Sequence, residues 1–321
     1  MLKTSSETGS AVLSGATMGT RWSAHLDAVD AADLAVVEAA MAAAVAEVDA
    51  QMSLWQPQSD LMRLNQAKPG DWVPLPTRLL TVLAAALDIG RASGGAFEIG
   101  MGDAVAAWGF GPAPVSNAAI GAALTAVRRP AHMVLELDPA QGRARKHGPL
   151  TLDLNGIAKG YGVDRLAEVA RAHGLRHALL AIDGELRALG GRADGRPWAV
   201  AVERPDHDRR AAEALVELSE AAVATSGDYR HWVTVGAQKL SHTMDPERGA
   251  PLRTSPASVT VMAPDCMRAD AWATALMVMG EEKGAAFAKT LGLSALFLSR
   301  GPQGITQRKV GPVFDTRSSR A

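Results

Sequence analysis

Hydrophobic and polar positions alternate over residues 150–154. Leu150, Leu152 and Leu154 fall on one side and Thr151 and Asp153 on the other, the period of a half-buried strand. The period then changes. Ile157, Tyr161, Leu166 and Val169 recur at roughly helical spacing, and the run ends at Gly174, a good residue just past a helix. Asn155 stands where an N-cap belongs. Gly156, Gly160 and Gly162 crowd the first turns, where each glycine costs about 1 kcal/mol against alanine, so something must approach the backbone closely. A strand feeding a glycine-lined helix start, with Asp153 before it and Lys159 one turn in, suits a pyrophosphate. A merely close-packed crossover is the alternative.

The same patterns predict the other elements. Residues 20–29 read as a strand, 33–52 as an alanine-rich helix, and Ser59 as the cap of a short helix carrying Leu61 and Leu64. A third helix spans 77–92 and another 117–127, separated by a glycine-punctuated stretch, 94–112, suited to a ligand-shaped loop. A hairpin joins 132–137 to 143–146, and Asp183-Gly184 marks a two-residue turn between strands 177–182 and 185–189. Strands follow at 198–203, 215–218, 221–224, 229–235, 239–243 and 258–262. Helices at 267–279 and 282–291 precede a last hairpin, 293–298 with 305–310. Without regular strand–helix alternation, the expectation is an α+β fold: a mixed, mostly antiparallel sheet with packed helices.

Composition narrows the class. The 321 residues are 47% hydrophobic and 21% charged, as in a globular protein with ample core. With 33 basic and 34 acidic residues the formal charge is −1, which supports neither nucleic acid nor electrostatic membrane attachment as a partner. Cys266 is the only cysteine, so no intrachain disulfide can form. No apolar run reaches the ~20 residues of a transmembrane segment. The first residues lack the apolar core of a signal peptide, so the expected location is cytoplasmic as written and periplasmic if a leader has been removed.

Asp270 and Thr274, spaced i, i+4 on a helix, would stack a carboxylate and a hydroxyl on one face. Both are hard donors suited to Mg²⁺ or Ca²⁺, although Asp270 could equally favour the helix start and Thr274 bond back to a carbonyl. His242 lies between a strand and an Asp-Pro turn. Thr225, Ser226 and Gly227 offer a polar, backbone-exposing turn. Trp55 and Phe97 sit in proline- or glycine-marked loops, where a ring can stack on a planar ligand or fill the core.

Taken in order, the segments MGTRW, MSLWQPQSDLMRLN, GGAFEIGMGDAVAAWGFGP, LDLNGIAKGYGVDRL, AIDGELRALG, ATSGDYRHW, SHTMDPERGAP and SVTVMAPDCMRADAWATALMVMG resemble the FAD:protein FMN transferases, the ApbE family. The resemblance runs from about Met18 to Gly280. It implies an ApbE-like, T-fold-related architecture: a tail over residues 1–17, then one flavin transferase domain over 18–321, with division into two subdomains left open. It further implies an enzyme that uses Mg²⁺, takes FAD as substrate and moves FMN onto a threonine of a target flavoprotein, releasing AMP. Carried over position by position, Asp270, Thr274 and the backbone carbonyl of Gly156 look like metal ligands. Asp153, Lys159, Met18, Ala96, Phe97, Glu98 and Met244 fall on FAD-binding positions. Trp55 replaces a usual tyrosine, Glu98 a usual aspartate and Asn155 a common glycine, changes that bear on flavin affinity. His242 is the first candidate for the base that receives the acceptor's proton, with Asp245 and Asp228 near it in sequence. Two other functions share these residues: an FAD pyrophosphatase giving FMN and AMP, and a carrier or assembly protein that binds FAD without turning it over. Residues 14–17, Ser-Gly-Ala-Thr, match the end of the family's acceptor pattern, but Ala11 replaces its aspartate, so no self-modification is expected.

Overall fold

In the computed structural model, which describes residues 9–112, 114–206, 211–229, 232–235, 238–253 and 256–314, eight strands form one sheet in which neighbours in space follow chain order. They are β1 (Gly9–Thr17), β2 (Thr20–Val29), β3 (Ala178–Ile182), β4 (Glu185–Leu189), β5 (Ala222–Gly227), β6 (Ser258–Ala263), β7 (Ser294–Gly301) and β8 (Gly304–Val310). Every pairing is antiparallel. Register follows the alternation: Trp22, Ala24 and Leu26 of β2 stand opposite Ile182, Leu180 and Ala178 of β3, all buried. Of the tail expected over residues 1–17, residues 1–8 lie outside the described residues. Residues 9–17 are an edge strand whose small residues pair along β2, and the short Met18-Gly19 turn, both at positive φ, closes the hairpin.

The chain between β2 and β3 builds the helical half. It contains α1 (Leu34–Met52), α2 (Asp60–Gln66), α3 (Thr77–Ala92), α4 (Gly102–Ala107), α5 (Asn117–Thr125), α6 (Ala131–Val134) and α7 (Ala158–Ala172). Val37, Met41 and Val45 of α1 and Val163, Leu166 and Ala170 of α7 cover the Trp22–Leu26 face of the sheet. The opposite face carries a two-stranded ribbon, Trp198–Glu203 with Ala212–Leu218, packed through Trp198, Val202, Val216 and Leu218.

α8 (Cys266–Met279) is the spine of the site. Most of its residues are buried, as expected for a helix enclosed by α7, β5, β6 and α9 (Glu281–Thr290). Asp265 caps it by accepting the Arg268 N–H, and Asp164 of α7 accepts the Cys266 and Met267 N–H groups, both at 2.9 Å. That buried carboxylate fixes the start of α8 against α7. The two helices approach so closely that a Cβ on Gly160 would lie 2.3 Å from the Cys266 carbonyl oxygen.

Three local expectations are corrected. Leu152 and Leu154 are buried, but residues 150–154 form no strand and join no sheet. Their backbone is satisfied by Asn65, whose amide brackets Leu152, and by the 99–102 loop. Asn155 is not the cap. Asp153 accepts its N–H at 2.6 Å in an Asx turn, and α7 starts three residues later, with Ile157 at the cap position and no side-chain bond. Residues 132–134, expected as strand, belong to the short helix α6, which precedes a strand at Leu135–Asp138.

Candidate active site

A cavity of about 770 Å³ opens between the helical half and the sheet, and every sequence-predicted site residue lines it: Met18, Trp55, Ala96, Phe97, Glu98, Asp153, Gly156, Lys159, His242, Met244, Asp270 and Thr274. Such a volume suits a large organic ligand. The residues reach it from segments far apart in sequence.

On the α7–α8 wall, Asp270 is 4% exposed and its Oδ2 accepts the Gly160 N–H at 3.0 Å. Burial, reinforced by the nearby Glu185 carboxylate, pushes its pKa up to about 8, despite the opposing charge of Lys159. Thr274 lies one turn on, its hydroxyl 3.0 Å from the Ser226 hydroxyl. A Cβ on Gly156 would sit 3.1 Å from the Thr274 Oγ1, so glycine lets this backbone turn lie against the hydroxyl. The glycines thus divide. Gly156 faces the cavity, whereas Gly160 and Gly162 are required by packing, Gly162 against Ile182 and Met18.

The donors suit a hard divalent cation. Among the described residues no three His, Cys, Asp or Glu side chains cluster as a metal cage. One buried carboxylate beside a hydroxyl is the kind of partial site that Mg²⁺ completes with water and substrate phosphate oxygens. A carboxyl held up to about 8 by burial and like charge is also one that a cation would return to its ionised form.

Lys159 Nζ lies 3.0 Å from Glu185 Oε2, donates to its Oε1 at 3.1 Å, and is 3.6 Å from Asp183 Oδ2. Burial alone would lower the lysine's pKa, but Glu185, Asp270 and Asp183 together raise it. Asp153 is pushed up to about 6 by burial, against its bonds from the Asn155 N–H and side-chain amide. Glu98 is likewise raised by burial. Its carboxylate accepts the Gly100 and Ala131 N–H groups, so it ties the 94–112 loop to α6.

The aromatic residues separate cleanly. Trp55 is 62% exposed at the cavity rim, which rules out the core role. Phe97 is 4% exposed and packs in the main core while also lining the cavity, with its ring edge close to Gly156. Met244 is buried with Met101, Val105 and Ala123. The His242 ring stands edge-on to Phe110, centroids 6.4 Å apart. Of its sequence neighbours, Asp228 is held by a two-pronged bond from Arg300 at 2.7 and 2.8 Å, and Asp245 accepts the Glu247 and Arg248 N–H groups of its own turn. Thr225, Ser226 and Gly227 are not a turn but the end of β5, paired with β6.

Sequence reasoning does not single out Glu185 as a site residue, and it offers Ser226 only as part of a turn. A signal exists for the first: an acidic residue directly after an Asp-Gly hairpin turn, in a strand whose other residues are largely apolar.

The model of the ApbE family matches residues 18–297. An FAD:protein FMN transferase of Vibrio cholerae serotype O1 is 34% identical over 297 residues, spanning 92% of this chain and 89% of that protein. One of Escherichia coli K12 is 32% identical over 295 residues, spanning 90% and 84%. Among solved structures, the flavin transferase ApbE from Vibrio cholerae superposes with a TM-score of 0.82 at 33% identity, covering 94% of this chain and 97% of that one. The apo flavinyl transferase ApbE of Pseudomonas stutzeri gives 0.81 at 34% identity, covering 94% and 95%.

Proposed function

Because the chain belongs to the ApbE family, we propose that it is an FAD:protein FMN transferase, moving the FMN half of FAD onto a threonine of a target flavoprotein with Mg²⁺ as cofactor. The observation that carries this reading is the convergence of Asp270, Thr274, Gly156 and Lys159 on one wall of a dinucleotide-sized cavity. In the reaction the acceptor oxygen forms a bond to the FMN phosphorus, the pyrophosphate P–O bond to the AMP half breaks, and AMP leaves. Asp270, Thr274 and the Gly156 backbone would hold the cation. When bound, it would neutralise charge on the non-bridging oxygens, the main demand of phosphoryl transfer.

The remaining work falls to the chain's own residues. Trp55 offers an exposed ring at the rim for a planar group. The α7 start and Lys159 position the phosphates, and positioning supplies much of the rate in such reactions. His242, on the cavity wall, takes the acceptor's proton. His242 lines the cavity, whereas Asp228 and Asp245 do not, which supports choosing the histidine. No nucleophile is required of this chain, since the partner brings the hydroxyl.

The test is incubation with FAD and MgCl₂, with and without a flavoprotein acceptor domain. AMP release that depends on the acceptor, with covalent flavin fluorescence on the acceptor in a denaturing gel, is expected. AMP and FMN release without an acceptor would identify a pyrophosphatase, and FAD binding without either product a carrier.

A further inference from the structure

Lys159 is the one lysine or arginine among the described residues that line the cavity, yet its charge is already answered. Glu185 touches Nζ with both oxygens, at 3.0 and 3.1 Å, and Asp183 lies 3.6 Å away. The Glu185 side chain is only 3% exposed, so water does little to shield it. Its place is fixed by the hairpin: Glu185 pairs with Ile182 across the Asp183-Gly184 turn, where Asp183 takes a positive φ of 53°. Lys159 therefore already faces the carboxylates of Glu185 and Asp183, with the buried carboxyl of Asp270 on the same wall. A pyrophosphate adds further negative charge to the same wall, and like charges in a half-enclosed cavity repel. A site built to hold pyrophosphate by itself would not bury a carboxylate against its single lysine.

We infer that Glu185 couples dinucleotide binding to cation binding, holding Lys159 in an internal ion pair so that the pyrophosphate of FAD is accepted tightly only when a divalent cation sits beside Asp270. The inference rests on the reading of this cavity as an FAD site. Glu185 is a positioning residue: it acts through Lys159 and need not touch the substrate. The coupling is reciprocal, so FAD raises cation affinity by the factor by which the cation raises FAD affinity.

The test is FAD affinity, read by flavin fluorescence, in excess EDTA and in saturating MgCl₂, for the intact wild-type chain and Glu185→Gln. In EDTA the variant is expected to bind FAD on the order of tenfold more tightly than wild type, within the usual span of coupling between two ligands. In MgCl₂ the difference should nearly vanish. Adding Lys159→Gln to the variant should abolish the gain, because the gain comes from releasing that lysine. Equal effects of Glu185→Gln in both media, or weaker binding in EDTA, would overturn the inference. Lys159→Gln alone keeps the question answerable if the first variant misfolds. It should cost little FAD affinity in EDTA, and a tenfold or larger loss there, about 1.4 kcal/mol, would overturn the inference too. If wild type binds FAD in neither medium, the FAD reading itself fails.

Discussion

Asp153→Asn should make the protein more stable at neutral and alkaline pH, and by an amount that disappears in acid. The Asp153 carboxyl is buried and titrates at about 6 in the folded chain, against 3.8 for an ordinary aspartate. A raised aspartate favours folding while it is protonated. That contribution is complete below the unfolded value and is lost as the pH climbs through the folded one. Each tenfold weakening of the acid corresponds to about 1.36 kcal/mol, and the rise spans roughly a hundredfold, so the ionised form costs about 3 kcal/mol. Asparagine removes the charge and keeps the shape. Its carbonyl can still accept the Asn155 N–H, and a rotated Asn155 amide can meet its new NH₂. Denaturant unfolding from about pH 4 to about pH 8 measures the effect. The stability gain should approach about 3 kcal/mol at the alkaline end and shrink toward zero at the acid end. FAD affinity should fall in the same variant, since Asp153 lines the cavity. A gain independent of pH, or a loss of stability at the alkaline end, would refute the reasoning.

Other outcomes are as definite. Asp270→Ala should abolish Mg²⁺-dependent turnover, because Thr274 and one carbonyl cannot hold the ion; full activity at ordinary MgCl₂ would remove the assignment. Trp55→Ala should weaken FAD binding by roughly 1–3 kcal/mol, as loss of an aromatic stacking partner does. Its melting should barely change, since an exposed side chain contributes within about 0.5 kcal/mol; titration and thermal melting together check both halves. His242→Ala should slow transfer about 10²–10⁴-fold with little effect on FAD affinity. A wild-type rate and pH profile would clear the histidine. Incubation with FAD and MgCl₂ should leave no covalent flavin on this chain, because Thr17 ends β1 with its hydroxyl buried; intact-mass spectrometry reads this directly.

Legibility in the sequence follows the locality of the forces. Helix Thr77–Ala92, strand Thr20–Val29, the Ser59 cap and the Asp183-Gly184 turn depend on near neighbours, and each lies where the pattern places it. Asp270 and Thr274 are legible for the same reason, being one helical turn apart. Over 150–154, Leu152 and Leu154 are buried as the pattern says, but Asp153 is buried with them, and strand character needs a partner. Asn65, far away in sequence, supplies side-chain bonds instead. The glycines announce a close approach without naming what approaches: for Gly160 it is the α8 backbone, and only Gly156 serves the cavity. Phe97 in a glycine-rich loop carries no sign that the loop folds over the core. Glu185 and Lys159 meet across 26 residues and two elements, which no periodicity encodes.

The neighbours β2 and β3 are adjacent in the sheet but hold between them nearly half the chain: Trp22 pairs with Ile182. Joining them closes a loop of 160 residues, by subtraction of those two numbers, whereas β7 and β8 meet across a tight turn. Loop-closure entropy rises with that separation and long-range pairings slow folding. The expected order of assembly therefore runs backwards along the chain, with the local β7–β8 hairpin early and the β1–β2 hairpin docking late. Met18, at the tip of that hairpin, would then be among the last parts of the cavity wall to arrive. Pulse-labelled hydrogen exchange during refolding should protect the β7–β8 amides before those that join β2 to β3, and a nascent chain emerging from the ribosome would carry its β1–β2 hairpin undocked until β3 has been made.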